Sequence, residues 1–503
     1  MRRVAEGGRR RAGIAELGEG VVRQRVVDEV KWHARHSIDR IPGMRAGVAL
    51  LVLACTAVLA AQAPRQVSLV VHNGTVVTMD GARRVIENGA VAVDGTDIVA
   101  VDTDDAIRKQ FRGAETLDAG GQVIMPGLVN THTHAPMVLF RGLADDLALQ
   151  EWLNKYIFPA EAKLVSPEFV RVGTRLAVLE MIESGTTTFV DMYYFEEEIA
   201  KETKAAGLRG VLGQTVIQFP VADAKTAADG LARAEAFITQ FKGDPLITPA
   251  VAPHAIYTLD GPTLKAAREL SKKHAVPMLI HLAETRDEIQ TARERFSTSP
   301  VAYLESLGVL GPGVLAAHGV WVNDADIAVL KSRGVGVSHN PESNMKLASG
   351  TAPVTGYLRA GVALGLGTDG AASNNDLDMF EAMRTASLLA KLQTVDPSVV
   401  PAATALDMAT MGGARALGME KQIGSLEPRK RADLIVVSMR SARQTPLYDP
   451  MSHLVYVTRG DDVLDTIVNG KVLMKDRKVL TLDADAVLKD ARAMAVKVRA
   501  AVK

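Results

Sequence analysis

Between Gln122 and Thr368 the chain alternates two kinds of segment, and this alternation constrains the fold more than any other feature. Eight short apolar runs stand out: Gln122–Met125, Thr186–Asp191, Arg209–Val216, Ile247–Ala252, Pro277–His281, Val314–His318, Gly336–His339 and Val362–Thr368. Each is apolar along most of its length, as a strand covered on both faces must be. Segments with helical spacing follow most of them, such as PEFVRVGTRLAVLEMIESG and DGPTLKAARELSKKH. Strands that alternate with helices make parallel sheets. Eight such units in about 300 residues predict an α/β fold, a (β/α)8 TIM-like barrel.

Both flanks read differently. Residues 64–123 contain short β patterns, SLVVHNGTVVTMD, GAVAVDGTDIVAVD and AETLDAGGQVIMPG, with Asn-Gly and Asp-Gly pairs at hairpin positions. GSLEPRKRADLIVVSM and DVLDTIVNGKVLMKDRKVL, in 421–482, look alike. Each half is too small to form a core alone. The two chain ends are therefore expected to build one small β-sandwich domain around a barrel at 124–420, followed by a C-terminal helix at 483–503.

The first 63 residues are an extension. Residues 1–42 are Arg-rich with weak periodicity, and MRAGVALLVLACTAVLAAQAPR follows from Met44. A basic start, a short apolar run and small residues at its end describe a secretory signal. The run is shorter than the ~20 apolar residues a bilayer span needs. Export through Met44–Ala63, to the periplasm or the outside, is the expectation, with no membrane span in the mature protein. A cytoplasmic protein with an apolar N-terminal helix is the alternative. Lys+Arg and Asp+Glu both number 58, which offers no general attraction to nucleic acid. The one cysteine, Cys55, excludes an internal disulfide and any Cys-ligated metal cluster.

Active sites of such barrels lie at the C-terminal ends of the strands. Here those ends carry His132 and His134, His254, His281 with Glu284, His318, His339 and Asp369. A single histidine on an apolar element is more often a satisfied core residue than a ligand. Independent core histidines would not gather at one rim. His132 and His134 stand two apart, so in a strand they face the same side. With His281 and Asp369 they make a mixed N/O set that suits one divalent metal per subunit, zinc, with Fe(II) as the alternative. The fourth strand ends Val251-Ala252-Pro253-His254 with no Lys, Cys or Glu to bridge a second ion. A metal with an open position would bring a water's pKa toward ~7. Glu284 is placed to protonate a ring nitrogen of the substrate, Asp369 to take the water's proton and His318 to orient that water. His339 is expected behind these groups. The set fits hydrolytic attack on an aromatic C–N centre.

At these residues the chain resembles the amidohydrolase superfamily, and more narrowly the 5'-methylthioadenosine/S-adenosylhomocysteine deaminases, from about Leu69 to Leu482. The resemblance is carried by MPGLVNTHTHAPMVLFRGLADDLALQEWL, FPAEAKL, APHAIYT, HLAET, HNPESNMKLASG, GLGTDGAASNNDLDMFEAM and GSLEPRKRADLIVV. The His-x-His alone marks only the superfamily; SNMKLASG followed by GTDGAASNNDLDMFEAMR is far more specific. The resemblance implies a metal-dependent hydrolase barrel with metal on His132, His134, His281 and Asp369, and Glu284 as proton shuttle. It also implies Glu161 on the ribose hydroxyls, His254 on the purine and Trp152 as a pocket wall. A small-molecule nucleoside is the implied partner, and a homo-oligomer is expected.

One departure bears on substrate. Relatives that bind a homocysteine tail place arginine near the loop after strand three, whereas here LGQTVIQFPVADAK offers Gln214 and no Arg. Methylthioadenosine, 5'-deoxyadenosine or adenosine are expected to be better substrates than S-adenosylhomocysteine. The competing readings are a related enzyme acting on an s-triazine or a guanine-type ring, and a non-catalytic scaffold. A scaffold would have lost ligands, and a triazine has no diol for Glu161.

Overall fold

Short, largely apolar runs with no alternation of polar and apolar faces must be covered on both sides. In the computed structural model, which describes residues 63–501, eight of them close into a parallel barrel. In chain order its strands are β1 (Leu128–Thr133), β2 (Thr186–Tyr193), β3 (Arg209–Val216), β4 (Ile247–Pro253), β5 (Met278–Leu282), β6 (Val314–His318), β7 (Gly336–His339) and β8 (Ala363–Leu366). Every residue of β1, β2 and β3 is buried. Neighbours pair in sequence order, and β8 closes the ring on β1 through Leu366 and Asn130. The expected helices form at Pro167–Glu183 and Gly261–His274, capped by the side chains of Ser166 and Asp260.

The first barrel strand is not the one expected. Val123–Pro126 pairs with Arg65–Val77 and, antiparallel, with Leu434–Val437, so it belongs to the small domain. The barrel starts one glycine later. At Gly127 the chain crosses between the two sheets so closely that a Cβ would lie 2.1 Å from Thr187 Cγ2. Two adjacent apolar runs look alike to periodicity, and only tertiary pairing assigns them.

The small domain is one nine-stranded mixed sheet built from both chain ends. Its halves meet where Val123–Pro126 pairs with Leu434–Val437. Asp94-Gly95 and Asn469-Gly470 do make tight hairpin turns, with Asp94 paired to Asp97 and Val468 to Lys471. Asn73-Gly74 does not. It is a bulge inside Arg65–Val77, with Asn73 at φ 57°. The helix Ala484–Ala501 ends the described chain and ties to the barrel side, where Lys163 Nζ donates to Ala501 O at 2.9 Å and Lys497 pairs with Glu168 at 3.0 Å.

Barrel and sheet are joined by a buried ion pair. Arg209, at the start of β3, donates Nε to Asp433 Oδ2 at 2.9 Å and Nη2 to Asp433 Oδ1 at 3.1 Å. Both side chains are almost wholly buried. This arginine therefore points away from the strand ends, as its place at the strand start implied. Among the described residues no helix is long and apolar enough to cross a membrane. The expected signal, Met44–Ala63, and Cys55 lie outside the described residues, Ala63 itself excepted.

Candidate functional site

The C-terminal ends of β1, β5, β6 and β8 bring His132, His134, His281, His318 and Asp369 onto one buried floor. His132 Nε2 lies 3.5 Å from Asp369 Oδ1, and His134 Nε2 lies 3.4 Å from the same oxygen. His281 Nε2 and His134 Nε2 are 3.4 Å apart. Two groups of donors are each close enough to share one ion, His132/His134/Asp369 and His132/His281/His318.

The backbone decides what these imidazoles can do. His134 Nδ1 lies 2.7 Å from Met192 O, and His281 Nδ1 lies 2.9 Å from His254 O. A carbonyl only accepts, so each Nδ1 carries the proton and each Nε2 of the neutral ring is a lone pair. Two lone pairs then face each other across 3.4 Å, and His132 Nε2 is buried with no partner. Such a floor is unfavourable unless a cation sits among the donors. Three imidazole nitrogens and one carboxylate fit a divalent metal. Burial holds His132 and His281 well below the ordinary histidine range, which keeps them neutral and available as ligands. Burial works against ionised Asp369, yet His132, His134, His318 and the Ser343 hydroxyl, which donates at 2.7 Å, hold its carboxyl well below the usual range.

His318 and Glu284 complete the floor. His318 Nε2 lies 3.8 Å from Glu284 Oε2 and 3.9 Å from Asp369 Oδ2. Burial pulls the His318 imidazole down, but these two carboxyls outweigh it and leave the group raised. Its Nδ1 is held by Asn344 Oδ1 at 2.9 Å. Glu284 is 4% exposed, and burial raises its carboxyl above the ordinary value. His318 and Asp369 both sit in left-handed backbone, at φ 75° and 64°, a strain that concentrates where geometry is functional.

Above the floor lies a cavity. Its lining includes Trp152, Glu161, His254, Glu284, His318 and Asp369. His254, which burial lowers to about 3, bonds Thr258 Oγ1 through Nδ1 at 3.1 Å. Trp152 opens a π-helical turn, Trp152–Ile157, and its indole N–H is buried without a partner. Glu161 accepts the Tyr193 hydroxyl at 2.7 Å, and burial raises its carboxyl to about 7 against that bond. His339 is buried but does not line the cavity.

Gln214 was expected to bear on a substrate tail, but it does not reach the cavity. It is fully buried, with Nε2 on Thr215 O and Asp223 Oδ2. In β3 the residue facing inward at this level is Thr215, one step along the pleat. Phe158, which does line the cavity, packs edge-on against Phe219, ring centroids 5.7 Å apart. On one side they line a hollow with Glu161, Pro220, Val221 and Ala222, and on the other a hollow with Asp287 and Arg295. Sequence reasoning also missed Tyr193, Ser343 and Asn344, which hold Glu161, Asp369 and His318. Ser343 and Asn344 lie within HNPESNMKLASG, read above only for the resemblance it carries, and Tyr193 lies just past the run Thr186–Asp191.

Comparison with known proteins agrees with this arrangement. The model of the amidohydrolase family matches residues 123–473. A 5-methylthioadenosine/S-adenosylhomocysteine deaminase of Syntrophobacter fumaroxidans is 48% identical over 427 residues, 85% of this chain and 97% of that protein. A 5'-deoxyadenosine deaminase of Methanosarcina barkeri is 48% identical over 84% of this chain and 96% of its own length. The crystal structure of an adenosine deaminase from Xanthomonas campestris with bound zinc superposes with a TM-score of 0.86 at 40% identity, covering 87% of this chain and all of that one. With a closed eightfold barrel, a metal-ready floor at its strand ends and these similarities, the chain belongs to the amidohydrolase family.

Proposed function

We propose that this protein is a zinc-dependent aminohydrolase of adenosine-type nucleosides, replacing the 6-amino group of the purine by oxygen and releasing ammonia. The observation that carries this reading is Glu161. A buried carboxylate with one oxygen engaged by Tyr193 and the other free is a receptor for a vicinal diol, and it lies in the same cavity as Glu284 and Asp369. A triazine would leave that buried acceptor unmatched, at a cost of about 1–3 kcal/mol.

His132, His134, His281 and Asp369 would hold the metal, which when bound supplies an activated water. Glu284, whose carboxyl burial raises, donates a proton to the ring nitrogen beside the amino-bearing carbon. That carbon becomes electrophilic and water adds to it. Asp369 accepts one proton of the water and passes it to the amino group, while His318 holds the water's orientation. The C–N bond breaks and ammonia leaves. The remaining hydroxyl proton returns to Glu284, and the 6-oxo product keeps the proton on its ring nitrogen. His254 and Trp152 would bind the purine edge, with the unpartnered indole N–H as donor. The hollow of Phe158, Phe219, Pro220, Val221 and Ala222 beside Glu161 supports a small apolar 5' group, methylthio or deoxy.

The test is ammonia release by the zinc-loaded enzyme on methylthioadenosine, 5'-deoxyadenosine, adenosine, S-adenosylhomocysteine, guanine and a chlorotriazine. Highest kcat/KM is expected for methylthioadenosine and 5'-deoxyadenosine. Turnover of guanine or the triazine without the adenosines would overturn the assignment.

A further inference from the structure

His134, like Asp369, lies beyond the end of its strand, so the barrel ladder alone does not place it. Its position is set by the end of β2. The Thr133 hydroxyl lies 2.8 Å from both Asp191 Oδ1 and Val190 O, and the Ala135 N–H donates to that Asp191 oxygen at 2.5 Å. These two residues bracket His134. The next residue of β2, Met192, accepts the His134 Nδ1 proton. Asp191 is wholly buried and its second oxygen has no hydrogen-bond partner; nearby Glu196, also wholly buried, accepts the Tyr193 N–H through Oε1 at 2.7 Å. Nothing in the metal or substrate chemistry above calls for a buried acid pair at this depth.

We propose that Asp191 is a positioning residue for the metal site: it clamps the chain on both sides of His134 so that the Nε2 of that ring points at the shared centre. The clamp is a hydrogen-bond acceptor. Its net charge is not what is needed, and an amide oxygen could accept both donors. Outer partners that orient metal ligands typically change affinity 10–100-fold when removed.

The test is zinc affinity of the full-length protein, measured by competition with a chromogenic chelator on folded, monodisperse samples of wild type, Asp191→Val, Asp191→Asn, Thr133→Val and His134→Ala. Asp191→Val is expected to weaken zinc binding 10–100-fold. Asp191→Asn is expected to recover most of that loss, and Thr133→Val, which removes one of the two donors, to lose less than Asp191→Val. A merely structural role would lower Tm without changing the zinc affinity of the folded fraction. The proposal is overturned if folded Asp191→Val binds zinc as wild type does, or if Asp191→Asn is as weak as Asp191→Val. Should Asp191→Val fail to fold, wild-type zinc affinity in Thr133→Val overturns it. His134→Ala separates this inference from the ligand assignment on which it rests: unchanged zinc binding there would refute the assignment, whereas loss there with none in the Asp191 and Thr133 variants would refute only the clamp.

Discussion

Glu288 grips the backbone of Glu284: its Oε2 accepts the Glu284 N–H and its Oε1 the Ala283 N–H, both at 2.9 Å. Ala283 is in left-handed backbone at φ 51°, so the chain between His281 and Glu284 needs an external hold. Glu288, 2% exposed, supplies it from the first turn of the helix Arg286–Phe296. In Glu288→Gln one acceptor becomes a donor facing an N–H, a mismatch of about 1–3 kcal/mol. The expected outcome is a fall in kcat of roughly tenfold to hundredfold at unchanged zinc content, read by steady-state kinetics with metal analysis. Unchanged kcat would show that Glu284 is held by other means.

Glu284→Gln keeps the shape of the pocket but has no proton to give the ring nitrogen. General acid catalysis contributes about 10²–10⁴-fold, and a loss of that size in kcat with normal zinc content is expected. Full activity in this variant would remove Glu284 from the proton path.

Glu161 gives a pH signature. Burial raises its carboxyl from 4.5 to about 7, opposed by the Tyr193 hydroxyl. A group held above its unfolded value keeps its proton longer in the native state, so its stabilisation is full below about pH 4.5 and is lost as pH rises through about 7. Glu161→Gln has no such loss. Relative to wild type it should gain stability on the order of 3 kcal/mol between pH 4.5 and 8. The measurement is Tm against pH without nucleoside. A difference that does not widen with pH would mean that this carboxyl is solvated.

The Arg209–Asp433 pair is a stability element remote from the chemistry. Removing one partner leaves the other buried and uncompensated, at a cost of about 3–5 kcal/mol. Arg209→Met should lower the midpoint of chemical unfolding accordingly, with kcat of the folded fraction near wild type. A loss under 1 kcal/mol, read from the same curve, would show that water reaches Asp433 when the guanidinium is gone.

Chelation should both silence the enzyme and destabilise it. Binding to the native state alone adds about 2.7 kcal/mol when free metal stands at a hundred times its dissociation constant. Tm should rise with added zinc after dialysis against chelator, and activity should return with it. A Tm indifferent to zinc would contradict the reading of the facing His134 and His281 nitrogens.

Much of this was legible in the residues. Short runs such as Ile247–Ala252 and Val314–His318, mostly apolar and separated by helical segments, suit a doubly covered parallel sheet. That fixes the barrel, and the barrel fixes which end is chemical, so His132, His134, His281, His318 and Asp369 could be gathered without coordinates. What the sequence could not decide were questions of pairing and pleat. Val123–Pro126 and Leu128–Thr133 stand one residue apart, and only pairing with a strand as remote as Leu434–Val437, some three hundred residues away, assigns the first to the small sheet. Gln214 and Thr215 are adjacent, and a single step of the pleat turns one into the wall and the other into the cavity. The clamps of Asp191 on the chain around His134 and of Glu288 on Glu284 were invisible for a related reason. A hydrogen bond to a backbone N–H asks nothing of the partner's side chain, so no motif records it, and only the folded path of the chain brings the two together.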